Sequence, residues 1–596
     1  MAPRTLVDIF RNLSSFQKPD LLLFKKDGAW HPISTKEFMD RVRALSSALE
    51  GLGVKVGDRV ALLSENRPEW AITDFACQCY GAVLVPIFPT MVSEQAEYLL
   101  RDSGSVVAFC SNAEQAKKVL DAKATCPGLN DVILFDETVV KGARPYDEVL
   151  VAGRKAYAAD PAAFDRRADA RKPDDLATLI YTSGTTGEPK GAMLLQSNFV
   201  SNVLATTDLL PLPPTTVVLS FLPLSHVLER MIEYFYFHYG VTIAYAESID
   251  KLKDNLGEIN PHMFAAVPRV YEKVYGRIMD NVSKAPAARQ KLFWKALEVG
   301  RKVLELRAQK KTPDVILALQ HFLFDRIVFA KIRAALGSRF RYSISGGAPL
   351  SKELAEFFWA AGVEVFEGYG LTETSPVIAV NYPGAWRLGT VGRIIPGVEC
   401  KIAPDGEILT RGPHVMRGYF NKPDATKEAI DPDGWFHTGD IGRIDEDGFL
   451  AITDRKKELI VNANGKNIAP APIEGQLKGN PFISLPVIIG DRRRYLICLI
   501  VPNFEKLKEW AAQNGLGSLS MESLVKEARV RDLYQKAIDD WNRGKSHEQQ
   551  IVRFGLLTSD LTIEGGELTP TLKVKRRIID SKYKALIDEL YEEKAG

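Results

Sequence analysis

The chain has 596 residues, and at roughly 100–200 residues per domain this length predicts about three or four folding units and excludes a single small binding module. Hydrophobic residues make up 46% and charged residues 26% of the chain, which is typical of soluble globular proteins and excludes global disorder. The 77 basic and 75 acidic residues leave a net charge of +2, too small to gather nucleic acid or an anionic membrane, so no nucleic-acid partner is expected.

Neither the cysteines nor the N-terminus indicates a secreted or membrane-spanning protein. The six cysteines are scattered, and Cys77 and Cys79 have no second pair at metal-ligand spacing. The opening MAPRTLVDIFRNL lacks the apolar run and cleavage site of a secretory signal. No segment approaches the roughly 18–20 apolar residues of a transmembrane helix. We therefore expect buried thiols in a reducing compartment and a cytoplasmic location.

The first part of the chain alternates between helical and strand-like patterns. The spacing of apolar residues predicts helices over 36–55, 67–80, 93–103 and 113–122. Between them, short apolar runs bounded by turn residues predict strands over 58–64, 81–89, 106–110 and 131–136. This alternation favours an α/β fold class built from stacked, mostly parallel sheets.

The composition and apolar pattern of the sequence change twice farther along the chain. Residues 268–337 read as a helical insertion, whereas 384–450 are rich in glycine, proline and short β patterns and predict a small β subdomain. A charged stretch at 454–458 precedes a compact α/β tail. We therefore predict a large N-terminal domain over 1–453, a hinge at 454–458 and a C-terminal domain over 459–596.

The most informative segment is YTSGTTGEPKG at residues 181–191, which follows an apolar strand pattern. Gly184 and Gly187 leave backbone N–H groups accessible, and Lys190 adds positive charge, so the loop suits phosphate oxygens. It also carries the hydroxyl groups of Thr182, Ser183, Thr185 and Thr186. It is not a Walker A loop, because Pro189 stands where that motif needs glycine. An ordinary Ser/Thr/Gly surface loop is the alternative.

Two more glycine turns, SGGAP at 345–349 and GYGLTET at 368–374, also follow strand-like segments. Open α/β sheets bind ligands at the carboxyl ends of their strands. Tyr369 offers a flat face to a base, and Glu373 offers a hard oxygen ligand to Mg²⁺. A tight turn that merely carries a carboxylate is the alternative.

Two later segments are weaker on their own. In DGWFHTGD at 433–440, the carboxylate of Asp440 suits the hydroxyls of a ribose, although a simple β-turn would also explain the pattern. The basic LTPTLKVKRR at 568–577 would by itself be a solvated face.

Together, and in this order, these four segments closely resemble those of the AMP-forming adenylating enzymes, which include acyl-CoA synthetases, luciferases and peptide-synthetase adenylation domains. The resemblance covers nearly the whole chain. LPLSHVLER at 222–230, VPRVYEKV at 267–274 and the long segment 433–460 are similar to those of long-chain fatty acyl-CoA synthetases, in particular the bacterial and bubblegum-type subgroup.

The resemblance implies a mobile C-terminal domain and a two-step reaction. A long-chain fatty acid and ATP give acyl-AMP and pyrophosphate, with Mg²⁺ as cofactor, and CoA then displaces AMP to form the thioester. Relatives often form homodimers and their acids partition into bilayers, so a homodimer and a peripheral membrane contact are also expected. No strongly basic amphipathic helix is evident in the sequence, however.

By the same resemblance, the catalytic residues are Lys573, Glu373, Thr182 and His226, and the hinge residue is Asp454. Lys573 would bridge the carboxylate and the α-phosphate, while Thr182 and Glu373 would share Mg²⁺. A core packing role is the alternative for His226. The residues expected to bind ATP are Thr182, Ser183, Gly184, Thr185, Thr186, Gly187, Lys190, Gly347, Ala348, Glu367, Gly368, Tyr369, Gly370, Thr372, Asp440, Arg455 and Lys573.

Three points stay open in the sequence. The segment MIEYFYF at 231–237 is either the wall of an acyl tunnel or a buried aromatic helix face. No tryptophan lies between His226 and Trp294 to gate such a tunnel, and 461–467 departs from the family pattern, so CoA contacts are not transferred there.

Two other functions remain: a fatty acyl-AMP ligase that delivers to a carrier protein, and an inactive acyl or nucleotide sensor.

Overall fold

The computed structural model describes residues 2–182, 188–456, 458–463, 467–569 and 573–592, and within these ranges the strands form five sheets. The strands in chain order are β1 (Leu22–Lys26), β2 (Ala29–Ile33), β3 (Arg59–Leu63), β4 (Val83–Ile87), β5 (Val107–Cys110), β6 (Asp131–Leu134), β7 (Arg144–Pro145), β8 (Leu176–Thr182), β9 (Lys190–Leu195), β10 (Val217–Ser220), β11 (Thr242–Tyr245), β12 (Met263–Ala266), β13 (Tyr342–Ser345), β14 (Glu364–Gly370), β15 (Val377–Val380), β16 (Arg393–Ile394), β17 (Glu399–Ile402), β18 (Glu407–Arg411), β19 (Phe436–Ile444), β20 (Leu450–Arg455), β21 (Ile460–Val461), β22 (Asn467–Ile468), β23 (Ile483–Ile489), β24 (Leu496–Pro502) and β25 (Ile551–Leu556).

The α-helices of the described ranges connect and cover these strands. In chain order they are α1 (Leu6–Asn12), α2 (Thr35–Gly51), α3 (Pro68–Tyr80), α4 (Ser93–Ser103), α5 (Ala113–Ala122), α6 (Tyr146–Ala159), α7 (Pro161–Asp169), α8 (Gln196–Thr207), α9 (Val227–Tyr239), α10 (Leu252–Ile259), α11 (Pro268–Ser283), α12 (Ala287–Ala308), α13 (Val315–Phe324), α14 (Ala330–Ala334), α15 (Lys352–Ala360), α16 (Pro423–Ala429), α17 (Pro470–Leu477), α18 (Phe504–Gln513), α19 (Met521–Leu524), α20 (Ala528–Asn542), α21 (Arg576–Lys582) and α22 (Lys584–Glu592). None of these helices has both the length and the apolar composition needed to cross a membrane.

Two large, mostly parallel sheets form the greater part of the molecule. The first has the order β7-β6-β5-β3-β4-β8-β9, with only the edge strand β9 antiparallel. The second has the order β16-β15-β14-β13-β12-β10-β11-β1-β2, with antiparallel strands at both edges. One apolar cluster contains residues of both sheets and of the helices between them. The predicted α/β class with stacked parallel sheets is confirmed.

A helical region and a small antiparallel sheet lie in the second half of the N-terminal part. Helices α11 to α14 occupy the predicted insertion, and a π-helical turn at Asp325–Phe329 joins the last two. Strands β17 to β20 form an antiparallel sheet that continues to Arg455. The predicted hinge at 454–458 therefore begins within the last strand of this sheet.

The C-terminal part has its own core around a sheet of β23, β24 and β25. The central strand β24 is buried at every residue. Its alternate side chains enter two separate apolar clusters, with Cys498 and Ile500 in one and Ile497 and Leu499 in the other. A strand covered on both faces is apolar throughout, which explains the continuous run LICLIVP.

A buried ion pair joins helix α3 to helix α9. Arg230 donates from Nε to Oδ2 of Asp74 at 2.8 Å and from Nη2 to Oδ1 at 2.6 Å, and both side chains are at most 1% exposed. The Tyr234 hydroxyl also donates to Asp74, at 2.5 Å. The third guanidinium nitrogen of Arg230, Nη1, donates to Oγ1 of Thr178 in β8, at 2.8 Å. Buried charges are tolerated only when they are paired and hydrogen-bonded in this way.

We predict that Asp74→Ala destabilises the protein by about 3–5 kcal/mol, because it leaves the Arg230 guanidinium buried without a counterion. The shift of the urea denaturation midpoint measures this effect. Asp169→Ala is the control, because Asp169 pairs with Arg11 at the surface (2.7 Å) and such pairs contribute about 0–1 kcal/mol. Equal losses in the two variants would contradict the role of the buried pair.

Candidate active site

A cavity of about 2000 Å³ lies between the carboxyl ends of the large sheets and the C-terminal part. Its wall includes residues of both parts, from Phe88 to Ile587. The predicted site residues that line it are Thr182, Lys190, His226, Gly347, Gly368, Tyr369, Gly370, Thr372, Glu373, Asp440, Arg455 and Lys573. Segments that are almost 400 residues apart in sequence therefore meet around one space.

Three of the other predicted site residues, Ala348, Glu367 and Asp454, do not line this cavity. Ala348 is exposed and Glu367 is buried within β14, and neither lines the cavity. Burial raises the pKa of Glu367 to about 8 despite a hydrogen bond from the Leu350 backbone. Asp454 is buried beside the cavity but does not line it. The predicted phosphate-binding residues 183–187 lie outside the described residues.

Strand pairing places four polar side chains of the site next to each other as two pairs. In the antiparallel pair β8–β9, Thr182 is directly opposite Lys190. In the antiparallel pair β19–β20, Asp440 is directly opposite Arg455. Residues opposite each other in a ladder have neighbouring side chains, so each pair combines a charged group with a polar or oppositely charged partner. The segment 433–440, for which a β-turn was an alternative, ends inside a strand.

Asp440 is the centre of a small hydrogen-bonded group. It accepts a hydrogen bond from the Tyr369 hydroxyl at 2.7 Å and one from Nε of Arg455 at 3.1 Å. Burial raises the pKa of Asp440, and the positive charge of Arg455 opposes this effect. The carboxylate is thus fixed in position on the cavity wall by donors on both oxygens.

Lys573 extends from the C-terminal part toward this group. Two hydrogen bonds to Thr569 hold its backbone, since its N–H donates to Oγ1 of Thr569 at 3.0 Å and its carbonyl accepts from the Thr569 N–H at 2.8 Å. Burial, followed by the charge of Arg455, lowers the pKa of Lys573 to about 8, although Asp440 and Glu373 oppose this shift. Two cations therefore influence each other on the cavity wall, an arrangement that favours an anion between them.

Tyr419 connects two predicted residues and was not found from the sequence. Its hydroxyl donates to Oε1 of Glu373 at 2.8 Å, and the Lys190 ammonium lies 5.2 Å from its ring centroid. Tyr419 forms a bridge with Ala192 of β9, which fixes its position beside Lys190. Its local sequence, RGYFNKP, reads only as a turn. Only the tertiary structure reveals its contact with Glu373.

His226 caps helix α9, with its Nδ1 accepting a hydrogen bond from the Leu228 N–H at 3.2 Å. Burial, followed by the charge of Lys573, lowers the pKa of His226 to about 4. The imidazole is therefore neutral at pH 7, and because Nδ1 is an acceptor, the proton is on Nε2. His226 serves both as a helix cap and as a neutral donor at the cavity wall.

The cavity continues along helix α9 away from His226. With a rise of 1.5 Å per residue, Tyr236 lies about 15 Å farther along the helix axis. The apolar lining residues of this region are Phe88, Leu210, Val227, Met231, Ile232, Phe235, Tyr236, Met263 and Ile344. On the other side of α9, Tyr234 and Phe237 are fully buried and pack against Phe75. Segment 231–237 is thus both a cavity wall and a buried aromatic face.

The groups at this site that could bind a metal ion are single carboxylates. Among the described residues there is no group of three or more His, Cys, Asp or Glu side chains arranged to hold a metal ion. Glu373 presents one buried carboxylate on the cavity wall, oriented by Tyr419. Mg²⁺ that is carried by phosphates needs only one or two protein carboxylates.

Comparison with known proteins gives consistent results over the whole chain. Residues 14–420 match the AMP-binding enzyme family, and residues 457–595 match the AMP-binding enzyme C-terminal domain. The long-chain-fatty-acid–CoA ligase FadD15 of Mycobacterium bovis is 40% identical over 578 residues, covering 96% of this chain and 95% of that protein. The long-chain-fatty-acid–CoA ligase ACSBG2 of Xenopus laevis is 32% identical, covering 100% and 84%.

Among solved structures, the adenylation domain of a carboxylate reductase from Mycobacterium chelonae has a TM-score of 0.74. The match covers 99% of this chain and 91% of that one at 23% identity, and it concerns the fold.

We predict that Lys573→Met raises the pKa of His226, because the ammonium no longer repels the imidazolium. The pKa should stay below the ordinary value of 6.5, since burial is the larger cause of the shift. NMR titration of histidine-labelled protein measures the change, with the resonance assigned by His226→Gln. Lys422→Met, which removes another cation from the wall, is the control and should leave the titration unchanged. A midpoint near 6.5 in the unsubstituted protein would contradict the burial of this imidazole.

Proposed function

The chain belongs to the AMP-binding enzyme family, and from this premise we propose that its cavity activates a long-chain fatty acid in two steps. The acid's carboxylate attacks the α-phosphorus of MgATP, giving acyl-AMP and pyrophosphate. The thiol of CoA then attacks the acyl carbon, releasing AMP and the thioester. The observation that carries this proposal is one cavity with cations and carboxylates near Lys573 and an apolar wall along α9, with His226 at the junction.

The first step needs positioning and charge neutralisation more than a base, because a carboxylate is already nucleophilic. We assign Lys573 to the oxygens of the attacking carboxylate and the α-phosphate. A lysine ammonium suits this role because it is a compact point charge. Its lowered pKa in the free protein reflects burial and repulsion by Arg455, both of which a bound polyanion would counteract.

Lys190, Thr182 and Glu373 are assigned to the pyrophosphate end of MgATP. Glu373 would contribute a carboxylate oxygen to the Mg²⁺ that arrives with the nucleotide, and Thr182 a hydroxyl. The Tyr419 hydroxyl holds the Glu373 carboxylate in one orientation. Its ring faces the Lys190 ammonium, so Tyr419 positions both groups.

The nucleoside would lie between Gly347 and Asp440. Gly347 lines the cavity with a φ of +78°, a conformation that leaves its backbone free to approach a flat base closely. The Asp440 carboxylate, oriented by Tyr369 and Arg455, is a suitable acceptor for two ribose hydroxyls. Arg455 also places positive charge beside the α-phosphate.

The fatty acid would lie with its carboxylate near His226 and its chain along α9. The neutral imidazole can donate from Nε2 to a carboxylate or carbonyl oxygen. Met231, Ile232 and Phe235 would contact the acyl chain. Transfer of methylene groups from water to such a wall is favourable by about 0.8 kcal/mol each, so a long chain is strongly preferred over a short one.

We infer that residues 1–453 and 459–596 are separate domains that rearrange between the two steps about Asp454. Lys573 reaches the site from a part of the chain with its own apolar cores, and α11 contacts that part through exposed and partly exposed polar groups. The Lys506 ammonium lies 2.8 Å from Asp280, and Arg269 donates to the Ser484 carbonyl at 3.2 Å. Contacts of this kind are weak enough to break and reform.

A cytoplasmic location with peripheral contact to a membrane completes the proposal. All six cysteines are free thiols, and five of them are buried. Thiols persist unpaired in a reducing compartment.

The function is tested by supplying purified protein with palmitate, MgATP and CoA. We expect pyrophosphate exchange that depends on the fatty acid, and steady release of palmitoyl-CoA. Accumulation of acyl-AMP without thioester would instead indicate a ligase that serves a carrier protein. Absence of exchange with every saturated acid from short to very long would support an inactive sensor.

We predict that Lys573→Ala lowers acyl-AMP formation by roughly 10²–10³-fold, because one preorganised positive charge is lost from the transition state. Thioester formation from supplied acyl-AMP should be largely retained, since the C-terminal domain has rearranged by then. Rapid-quench assays of the separate half-reactions measure both rates. Lys526→Ala, at an exposed position of the same domain, is the control. Equal losses in the two half-reactions would contradict domain rearrangement.

We predict that kcat/KM for acyl-AMP formation falls as pH rises through about 8. Lys573 must be protonated, and burial lowers the pKa of its ammonium in the free protein to about 8, so the active form is present below this pH and lost above it. The residual activity of Lys573→Arg should lack this fall, because a guanidinium stays charged throughout.

Glu367→Gln is the control for this pH profile. Burial also raises the pKa of Glu367 to about 8, so its ionisation could produce a similar midpoint. We expect the alkaline fall to persist in Glu367→Gln. Its disappearance in that variant, or its persistence in Lys573→Arg, would assign the fall to a group other than Lys573.

A further inference from the structure

Helix α13 presents an apolar face to solvent. None of its ten residues is buried, although nearly all are apolar. The large apolar side chains of this face are between 49% and 85% exposed, and they are Val315, Ile316, Leu319, Phe322 and Leu323 of α13 together with Ile327 of the following turn. We call these six residues the α13 face. Contiguous exposed apolar surface of this kind marks a site of interaction with a partner or a membrane.

The opposite side of α13 packs against the protein, which explains why the α13 face is exposed to solvent. Leu317, His321 and Phe324 are less exposed than the α13 face and lie on the opposite side of the helix. The His321 ring lies 6.0 Å from the ring of buried Phe329, and α13 packs on α12. The helix is therefore anchored by one side while its more apolar side is unpartnered.

The segment of the chain that contains the α13 face is rich in positive charge. Between residues 287 and 334 the chain has eleven lysines and arginines and four acidic residues, a net charge of +7 against +2 for the whole chain. Lys310 and Lys311 precede the helix, and Arg326 and Lys331 follow it. These four side chains are exposed and form no ion pair within the described part of the chain.

We propose that the α13 face docks on the surface of a bilayer that contains anionic phospholipids. The apolar side chains would enter the region between headgroups and acyl chains, and the flanking cations would contact lipid phosphates. Docking on a membrane deepens the proposed function, because the membrane would be the source of the long-chain acid. In that one respect it rests on the proposed function.

Charge argues against a second copy of the chain as the partner, and helix length argues against a helix that spans the bilayer. A second copy of the chain would bring an equally cationic face against this one, and like charges across an interface oppose association. The helix has ten residues and is about 15 Å long, half the roughly 30 Å thickness of the hydrocarbon core, so it would lie on a bilayer instead of spanning it.

The sequence alone did not reveal this surface because its two components belong to different elements. Helix α13 supplies the apolar residues and contains no lysine or arginine. The turn before it and the segment after it supply the cations. No single strongly basic amphipathic helix is therefore present, whereas in the folded chain the Arg326 guanidinium lies 5.1 Å from the ring centroid of Phe322 in the α13 face.

The test is co-sedimentation of the full chain with vesicles of equal parts phosphatidylcholine and phosphatidylglycerol, and with vesicles of phosphatidylcholine alone. We expect binding to the anionic vesicles that weakens as salt is added. Leu319→Gln/Phe322→Gln should lower the partition coefficient by about tenfold or more, because two apolar side chains no longer enter the bilayer. Lys310→Gln/Lys311→Gln should reduce both the binding and its salt dependence.

Matched controls are available on other surfaces. Val56→Gln/Val139→Gln changes two other exposed apolar residues, and Arg154→Gln/Lys155→Gln changes two other exposed cations. Neither control should alter vesicle binding, and all four variants should retain palmitate-dependent exchange in detergent solution. Loss of exchange in the unsubstituted protein with intact vesicle binding would overturn the proposed function and leave the docking surface standing.

Two outcomes would overturn the docking proposal. The first is vesicle binding that the Leu319→Gln/Phe322→Gln variant does not reduce. The second is an unsubstituted protein that ignores vesicles but is dimeric by light scattering, and that becomes monomeric in this variant, because the α13 face would then be a contact between two copies of the chain.

Discussion

The buried contact between Arg230 and Asp74 is the constraint on which the geometry of the site depends. Arg230 belongs to the helix that begins at His226, Asp74 to a helix between the two large sheets, and Thr178 to the strand that ends at Thr182. Because a buried guanidinium requires its partners, these three elements have one mutual arrangement. The network thereby sets the position of the proposed acyl wall relative to β8, the strand that precedes the proposed phosphate-binding segment. It lies outside the cavity and touches no substrate, yet it determines where two of the four proposed catalytic residues stand.

Much of this architecture could be predicted from the sequence, because it follows from local patterns. The helix over 93–103 and the strand over 131–136 appear close to their predicted bounds, since each has clear apolar periodicity and terminal turn residues. The segments around Thr182, Glu373, Asp440 and Lys573 could be selected because their residue types suit phosphates, Mg²⁺ and ribose. Thr182 and Glu373 meet at the cavity because β8 and β14 belong to the two mostly parallel sheets and end there, whereas Asp440 comes from the antiparallel pair β19–β20 and Lys573 from the C-terminal part.

The remaining features depend on contacts between distant segments and leave little trace in the sequence. Tyr419 is one aromatic residue in a turn, and its role arises only because β9 brings it next to Glu373. The pKa values of His226 and Lys573 depend on burial by residues from several elements. Ala348 and Glu367 illustrate the converse, because neighbours of Gly347 and Gly368 in the chain need not share their position on the wall.

The division of the cavity wall between two parts of the chain has a thermodynamic consequence. In the proposed domain rearrangement, a ligand that contacts Lys573 and Asp440 together binds only the closed arrangement, so its affinity includes the free energy of closing. Closure and ligand binding are then reciprocally coupled, and any change that favours the closed arrangement tightens ligand binding by the same factor. The contact between Lys506 and Asp280 joins the two parts of the chain and does not line the cavity, so a change in this contact would act in this way. Residues of this kind set an apparent affinity for a nucleotide that they never touch.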